Sequence, residues 1–567
     1  MLYGTPASEG IGIGRVIFLE EHSLEYENKT VSDTEGEIKR FRNAVKIFRD
    51  NTQAQADALK ESAGENEARI LEGHIQMMLD PYLCSEIEKL ISSGQCAQAA
   101  LDHMCETFIT MFSQADDELT RQRAADVRDI RRAMLSILLG VKDVKLSAIP
   151  KNTVLVAREF APSITAGINK ENIVGIITEA GSKESHSAIL ARALGIPTVL
   201  SVKKALSKLS AGETVIVDGN KGEIILSPDE ETSDKYEQKR IEFIKACKEL
   251  EKFRGQATAS KSGETFDLFC NIGTAEEALD VTKADGEGVG VFRTEFLFMS
   301  RQSLPDEEDQ FEAYKKAALI LKNRPLVIRT LDIGGDKDIP YLGIDKEANP
   351  FMGLRAIRFC LENKEIFKTQ LRAILRASAF GDVRIMFPMI TTVDEYRQGC
   401  AIVEECKQEL RESKTDFDEN IKIGIMAETA SVTLIADILA KEVDFFSIGT
   451  NDLTGYTVAC DRGNEQISYL YSAFQPSVLR SISYIVKCAK ENNIPVGMCG
   501  EAAADPKMIP LLISFGIDEF SVSSPSVLKV RRSISQWSKS EADEVTKKVM
   551  SMATEKEISD FLRISAK

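Results

Sequence analysis

Short apolar runs alternate with amphipathic segments through the second half of the chain, from about residue 265 onward. Each run is long enough for a buried strand, and the segments between the runs repeat apolar residues at helical spacing. The runs that predict strands are Phe266–Ile272, Gly288–Glu295, Leu326–Ile333, Phe351–Leu354, Val383–Met389, Ile421–Ala427, Phe445–Gly449 and Pro495–Met498. Eight strand–helix units in succession predict a (β/α)8 barrel.

The helical period dominates an earlier block, residues 32–140. Ser32 and Asp33 are candidate N-caps, and the apolar residues that follow them recur three and four positions apart. Asp80-Pro81 is expected to end the second helix of the block. Further helices are predicted over residues 83–93, 96–115 and 120–139. We interpret the block as an α-helical insertion within an α/β domain.

Short β-rich segments lie on both sides of that insertion and predict a small α/β domain. They are Ile11–Leu19, Thr153–Ala157, Ile173–Thr178, Pro197–Leu200, Thr214–Val217 and Glu223–Leu226. Residues 229–254 are dense in charge and carry only a thin apolar stripe, which predicts a solvated linker helix. The predicted fold class is therefore multidomain α/β, with an α/β domain that contains a helical insertion, a linker helix and a C-terminal (β/α)8 barrel.

The composition narrows the classes of function. A chain of 567 residues is expected to hold several domains, and its net charge of −17 argues against nucleic acid or an anionic membrane as the main partner. No apolar run is long enough to span a bilayer, and the first residues show no signal-peptide pattern. The 11 cysteines form no C-x-x-C pair. This usage predicts reduced thiols in the cytoplasm and no thiolate zinc site.

His186 is the candidate nucleophile of the first half. It stands between Ser185 and Ser187, after a predicted strand and at the start of an apolar helical pattern. The first turn of a helix presents unpaired N–H groups and a partial positive charge, which suit a phosphoryl group carried by an imidazole. The residues alone leave an alternative open, in which His186 is a neutral histidine that caps the helix or packs in the core.

Charged and polar residues stand at the ends of the predicted barrel strands, where such barrels place their chemistry. Singly, each can be a surface ion pair; together they converge on one end of the barrel. Arginines there can bind phosphate and carboxylate groups through paired hydrogen bonds. A Mg²⁺ site commonly has two carboxylates as its protein ligands. A strand-end cysteine can donate a proton or simply be a small buried residue. The candidates are Arg293, Arg329, Arg355, Glu428, Asn451, Asp452, Arg462 and Cys499.

Motifs along nearly the full length resemble one family, enzyme I of the phosphoenolpyruvate:sugar phosphotransferase system. The matching runs agree in order and several are long. They are GTPASEGIGIG (4–14), AADVRDIRR (124–132), SHSAILARALGIPTV (185–199), GVGVFRTEFLFM (288–299), IRTLDIGGDK (328–337), GLRAIR (353–358), FFSIGTNDLTGYTVACDRGN (445–464) and GMCGEA (497–502).

The resemblance implies a domain plan and a set of partners. It implies a phosphohistidine α/β domain at residues 1–20 and 145–228, and a helical insertion at 21–144 that docks the phosphocarrier protein HPr. It further implies a linker helix at 229–256 and a barrel at 257–567 that binds phosphoenolpyruvate and forms homodimers. The linker is then expected to let the phosphohistidine domain swing onto the barrel.

The resemblance also implies roles for individual residues. His186 accepts the phosphoryl group of phosphoenolpyruvate and passes it to HPr, and Cys499 protonates the enolate to pyruvate. Glu428 and Asp452 hold Mg²⁺. The implied substrate-binding residues are Arg293, Arg329, Arg355, Asn451, Asp452 and Arg462.

The run before the histidine departs from the family pattern. The family usually has G-G-R-T-S-H, whereas this chain has Gly181-Ser182-Lys183-Glu184-Ser185-His186. This difference keeps a second hypothesis open, a regulatory or partner-specialised paralogue with weak transfer activity. A third is another phosphoenolpyruvate-utilising phosphotransferase, such as pyruvate phosphate dikinase, although 567 residues leave no room for the nucleotide-binding domain that those enzymes add.

Overall fold

A computed structural model of the chain describes residues 1–19, 26–27, 29–62, 65–113, 118–140, 149–158, 172–181, 191, 195–299, 301, 303–334, 339–342, 347–461, 464 and 466–565. Two compact units divide the chain, Met1–Lys248 and Glu249–Lys567. No helix among the described residues combines the length and the apolar character needed to cross a bilayer.

The first unit contains one mixed β-sheet. Among the described residues its strands are β1 (Leu2–Tyr3), β2 (Thr5–Ser8), β3 (Ile11–Phe18), β4 (Thr153–Ala157), β5 (Ile173–Thr178), β6 (Thr198–Leu200), β7 (Thr214–Asp218) and β8 (Glu223–Leu226). The order across the sheet is β1-β8-β7-β3-β4-β5-β6-β2. The central strands β3, β4, β5 and β6 pair in parallel, which is typical of strands joined by long connections. The sequence missed only the two short strands at the start.

Five helices are described in the block between β3 and β4, which the structure describes except for residues 20–25, 28, 63–64, 114–117 and 141–148. They run over Thr34–Ser62, Glu65–Met78, Pro81–Ser92, Ala97–Ser113 and Glu118–Leu139, close to the predicted bounds. Asp33 accepts a hydrogen bond from Gly36 N at 2.9 Å, as expected of an N-cap. Asp80 caps the third helix, whose first residue is Pro81, so the Asp-Pro pair both ends one helix and begins the next.

Two more helices follow among the described residues of the first unit and its end. Ala205–Lys208 is a single turn, and Glu230–Glu251 is the predicted charged helix. On the longer helix Tyr236 is buried, while Ile241 and Ile244 remain exposed. The prediction of a largely solvated helix with a thin apolar stripe is therefore confirmed.

The second unit is a closed barrel of eight parallel strands, each paired with the next along the chain. Its strands are β9 (Asp267–Ile272), β10 (Gly288–Arg293), β11 (Leu326–Arg329), β12 (Val383–Phe387), β13 (Ile423–Ala427), β14 (Phe446–Ile448), β15 (Val496–Met498) and β16 (Glu519–Val522). The barrel closes where β16 pairs with β9.

Helices surround these strands, and their apolar faces form one continuous core with the outer face of the barrel. The helices of the second unit are Ala278–Lys283, Glu295–Met299, Glu307–Leu321, Ile357–Glu362, Lys364–Ser378, Val393–Ser413, Ala430–Leu434, Ala436–Leu439, Thr450–Val458, Pro476–Glu491, Ile509–Phe515, Val527–Ser535, Lys539–Val549 and Glu555–Ser565. The predicted (β/α)8 barrel is therefore confirmed.

One predicted strand was wrong and one observed strand was missed. Phe351–Leu354 is not a strand: Pro350–Met352 forms a 3-10 turn, and Met352 is 67% exposed. The missing strand is β16, Glu519–Val522, which alternates polar with apolar residues. Because of this shift Arg355 lies on the loop that follows β11, and Cys499 follows the seventh strand of the barrel, not the eighth.

A buried arginine ties the first residues of the barrel unit to the end of the barrel away from the strand C-termini. Arg531 is 2% exposed. Its guanidinium donates to Phe253 O at 3.1 Å, to Thr258 Oγ1 at 3.0 Å and to Asp285 O at 2.8 Å, and it forms ion pairs with the Asp285 and Glu287 carboxylates. One side chain thus joins three segments that are distant in sequence.

Replacing Arg531 should destabilise the barrel unit. Arg531→Met keeps the aliphatic stem but leaves two carboxylates and two carbonyls without their donor. We expect a loss of about 3 kcal/mol, at the low end for a broken buried ion pair because Asp285 and Glu287 are partly solvated. Trp537 is the single tryptophan and is 2% exposed, so its fluorescence in a denaturant titration reports this unit.

Arg563→Met is the matched control, because Arg563 is exposed and pairs only with Asp560 one helical turn away. We expect its unfolding midpoint to match that of the parent. Equal midpoints for Arg531→Met and the parent would show that the Arg531 contacts contribute nothing net.

Candidate active site

A cavity of 280 Å³ opens at the C-terminal ends of the barrel strands. All the candidate residues of the barrel that the structure describes line it: Arg293, Arg329, Arg355, Glu428, Asn451, Asp452 and Cys499. They lie at or beyond the ends of five different strands, so barrel closure is what brings them together. Arg462 and His186 lie outside the described residues, and their predicted roles remain predictions.

Two arginines are held in place by carboxylates that line the same cavity. Arg329 pairs with Glu295 at 2.5 Å and with Asp332 at 3.0 Å. Arg355 pairs with the other oxygen of Asp332 at 2.9 Å and with Asp452 at 3.5 Å. Asp332 therefore bridges the two guanidinium groups, and both arginines are buried. Paired and desolvated guanidiniums stay charged and keep a fixed geometry.

Part of each guanidinium is still without an acceptor. Arg329 Nε and Arg355 Nε are buried and have no hydrogen-bond partner in the described part of the chain. Buried donors are almost always paired in proteins, so both atoms indicate a place for a ligand oxygen. Arg293 ends β10, is exposed to the cavity and forms no ion pair with a described residue.

Aromatic hydroxyls fix the surroundings of these groups, a feature that the sequence analysis did not find. Tyr456 accepts a hydrogen bond from Arg355 at 3.1 Å and itself donates to Phe351 O. Tyr471 donates to Asn451 O at 2.8 Å. Neither tyrosine follows a strand directly, so strand-end position gave no signal for them.

Glu428 is the most deeply buried carboxyl of the cavity. Its Oε1 accepts a hydrogen bond from Met389 N at 2.7 Å. Burial raises the pKa of Glu428 well above its usual range, and the nearby Asp452 and Asp332 carboxylates raise it further. A bound cation would reverse this penalty on the ionised form. Gly449 leaves room beside it, because a Cβ there would lie 2.7 Å from Glu428 Oε2.

The described carboxylates of the cavity fit a hard divalent cation only with help from a substrate. Glu428 and Asp452 present oxygen donors from two successive βα loops. No group of three or more histidine, cysteine or acidic side chains is arranged to hold a metal within the described ranges. Two protein carboxylates, completed by substrate oxygens and water, are the usual way of holding Mg²⁺.

Cys499 lies at the floor of the cavity, against the apolar interior of the barrel that includes Val291, Met386 and Met426. Its Sγ donates to Ile448 O at 3.6 Å. Burial raises the pKa of the Cys499 thiol to about 11, and this effect outweighs the lowering by Arg329. Nearby cations therefore do not activate the thiol to a thiolate, and it stays protonated at neutral pH.

Comparison with known proteins gives matches over the whole chain. The family model described as PEP-utilising enzyme, PEP-binding domain matches residues 247–539. The models for the N-terminal domain and the mobile domain of PEP-utilising enzymes match residues 3–123 and 149–222. A solution structure of an Enzyme I protein is 33% identical and covers 43% of this chain and 99% of its own, with a TM-score of 0.39.

Curated relatives match from end to end. The phosphoenolpyruvate-protein phosphotransferase of Priestia megaterium is 43% identical and covers 99% of this chain and 98% of its own length. The Bacillus subtilis protein of the same name is also 43% identical and covers 99% of each chain. Identity of this extent over the full length shows that the chain belongs to the phosphoenolpyruvate-protein phosphotransferase family.

Proposed function

We propose that this chain transfers the phosphoryl group of phosphoenolpyruvate to its own His186 and then to the phosphocarrier protein HPr, and releases pyruvate as the first step of sugar uptake. The observation that carries the proposal is a barrel cavity whose lining includes three arginines, several carboxyl groups, an amide and a buried thiol. These are the groups needed to bind an enol phosphate, neutralise its transferring phosphoryl group and protonate the enolate left behind.

The arginines bind and orient the substrate. The buried guanidiniums of Arg329 and Arg355 line the cavity in fixed positions, while Arg293 adds a positive charge that has no ion-pair partner among the described residues. Asp332 and Glu295 hold the buried guanidiniums in place before substrate arrives, so little reorganisation accompanies transfer. Arg462, next to this region in sequence, is proposed to add a fourth guanidinium.

The charge balance of the cavity supports a role for Mg²⁺. Three described guanidiniums line the cavity together with the carboxyl groups of Glu295, Asp332, Glu428, Asp452 and Glu501, so the described lining alone offers no positive excess to a phosphate and a carboxylate. We propose that Glu428 and Asp452 hold the cation, and Arg293, Arg329, Arg355, Asn451, Asp452 and Arg462 contact the substrate. When bound, Mg²⁺ supplies neutralisation of the phosphoryl oxygens.

Cys499 supplies the proton that converts the enolate to pyruvate in the first half-reaction. Breaking the phosphoenol bond leaves an enolate, which becomes pyruvate when its methylene carbon gains a proton. A thiol that remains protonated at neutral pH is a usable acid there, since its pKa is far below that of a serine hydroxyl. His186 and this cavity belong to different units of the chain. Transfer therefore requires the two to come together.

We also propose a cytoplasmic location and a homodimeric state for the protein. The ten described cysteines other than Cys247 are free thiols, which supports residence in the cytoplasm. Leu434 and Ile438 are exposed on two short helices that pack against the helix bearing the exposed Tyr484. An apolar patch of this kind on the barrel supports a homodimer.

The proposal is tested by mixing the protein with Mg²⁺, HPr from a matched organism and either phosphoenolpyruvate or ATP. We expect phospho-HPr and equimolar pyruvate with phosphoenolpyruvate and no product with ATP. Labelling that needs ATP would favour another phosphoenolpyruvate-utilising enzyme, and no labelling would favour a regulatory paralogue.

Asp452→Asn should uncouple substrate binding from Mg²⁺. The amide keeps the size of the side chain but removes the charge that holds the cation, so we expect phosphorylation to fall by about 100-fold. Titration of phosphoenolpyruvate at several Mg²⁺ concentrations should show an affinity that no longer depends on the metal. Asp416→Asn, which changes an exposed carboxyl of the same barrel unit, is the control. Normal Mg²⁺-dependent turnover in Asp452→Asn would place the metal elsewhere.

Cys499→Ser should slow pyruvate formation about 100-fold or more while phosphoenolpyruvate affinity changes little, because serine cannot supply the proton at neutral pH. Since the thiol pKa is about 11, the acid form is present below that value and lost above it. The wild-type rate should therefore show no alkaline fall from Cys499 until the pH nears 11.

Cys406→Ser is the matched control, since Cys406 is another buried barrel thiol whose Sγ donates to a backbone carbonyl. Rapid-quench measurement of pyruvate, with binding measured separately, checks both variants. Equal losses of binding and pyruvate formation in Cys499→Ser would indicate that the thiol only packs.

A further inference from the structure

The peptide that carries Cys499 lies just beyond the regular hydrogen bonding of the barrel. Strand β15 ends at Met498, and the register between β15 and β16 ends at the pair Met498↔Phe520. On the β14 side Cys499 N still donates to Ile448 O at 3.1 Å. On the other side the described contact of the Cys499 carbonyl comes from a side chain, that of Asn271.

Asn271 reaches this carbonyl from the other side of β16. It belongs to β9, and its Nδ2 donates to Cys499 O at 3.2 Å and to Ser521 O at 3.3 Å. Its Oδ1 accepts a hydrogen bond from Ser521 Oγ at 2.7 Å. The amide thus links the ends of three strands, β15, β16 and β9, at the closure of the barrel.

The partners determine the residue type. Two carbonyl oxygens can only accept, and the hydroxyl donates, so the side chain between them must be a donor on one side and an acceptor on the other. Asparagine satisfies all three contacts, whereas aspartate would place a carboxylate oxygen against two carbonyls. Gly290 leaves room for the serine, because a Cβ at that position would lie 2.4 Å from Ser521 Oγ.

The same asparagine also lines a second cavity, of 460 Å³, that adjoins the first. The two cavities share Arg293, Cys499, Gly500 and Glu501. Cys499 therefore has open space on the Asn271 side as well as on the substrate side. Packing alone does not restrict the peptide there, so its position depends on the hydrogen bonds that hold it.

We propose that Asn271 is a positioning residue for proton transfer, which orients the Cys499 thiol toward one face of the enolate. This inference rests on the proposed function. In the step, the S–H bond of Cys499 breaks and a C–H bond forms at the methylene carbon, using the electron pair of the enolate. The carbonyl of pyruvate forms, and the thiolate later regains a proton from water.

The position of the Cys499 thiol determines which face of the enolate receives the proton. A fixed thiol delivers its proton to one face of the planar enolate. If the thiol is displaced, enolpyruvate escapes and takes its proton from water on either face. Phosphoryl transfer itself does not use the thiol, so loading of His186 should be largely retained when Asn271 is changed.

The test uses the full-length protein with HPr, Mg²⁺ and phosphoenolpyruvate that carries deuterium at one methylene position, in tritiated water. Analysis of the methyl group of pyruvate gives the fraction protonated on each face. The variant is Asn271→Asp, which keeps the shape but loses the donor. The matched control is Asn492→Asp, because Asn492 Nδ2 donates to Cys488 O at 2.9 Å away from the cavity.

We expect the parent and Asn492→Asp to give pyruvate whose methyl group has one configuration. In Asn271→Asp the excess of that configuration over the other should fall by at least half, while phosphoryl loading changes less than threefold. Ser521→Ala, which removes only the hydroxyl that anchors the amide, should give an intermediate loss and serves if Asn271→Asp fails to fold. Single-face protonation retained in Ser521→Ala and in any folded Asn271→Asp would overturn the inference. Absence of phosphoryl loading in the parent would instead refute the proposed function.

Discussion

The buried ion network at the mouth of the barrel is the interaction on which the site depends. Asp332 receives one guanidinium on each oxygen, Arg329 at 3.0 Å and Arg355 at 2.9 Å, and Glu295 and Asp452 extend the pairing on either side. Taking such charges out of water is costly, and only good geometry with several partners offsets the cost. The network therefore requires strand ends in fixed register, which the closed parallel ladder provides.

The same network makes the cavity ready for an anion before one arrives. The guanidiniums are already desolvated and oriented, and each retains a buried Nε without a partner. The cost of arranging them is met by folding and not by substrate binding, which is how preorganised sites stabilise charge during transfer. Burial and the neighbouring carboxylates disfavour the ionised form of Glu428, and a bound cation would offset that effect.

The sequence was sufficient for the barrel and for most of its site, because strand ends converge by topology. Arg329 and Asp452 are far apart in sequence, yet any closed barrel brings their loops to one rim. Residue patterns failed where the barrel interior is polar. Strand β16 was missed because Glu519 and Ser521 point inward; burial raises the pKa of Glu519 to about 8. Conversely, the apolar Phe351–Leu354 was taken for a strand although Pro350 begins a turn there.

Positioning residues were the other class that sequence could not identify. Asn271 is an ordinary polar residue of a strand by its type and position. Tyr456 belongs to a helix and Tyr471 to a loop. Their importance lies in hydrogen bonds to the backbone of distant segments, Cys499, Phe351 and Asn451, which no local pattern encodes. Residue types that carry chemistry can be recognised in a sequence, whereas the side chains that orient them are found only from their contacts.

The most direct test of the proposed transfer to His186 is to locate the phosphoryl group after one turnover. The protein is mixed with Mg²⁺ and radiolabelled phosphoenolpyruvate without HPr, quenched in alkali to preserve phosphohistidine, and digested for mass spectrometry. We expect one acid-labile phosphoryl group per chain, on the peptide that contains His186, with one pyruvate released. Label on any other residue, or pyruvate release without label, would contradict it.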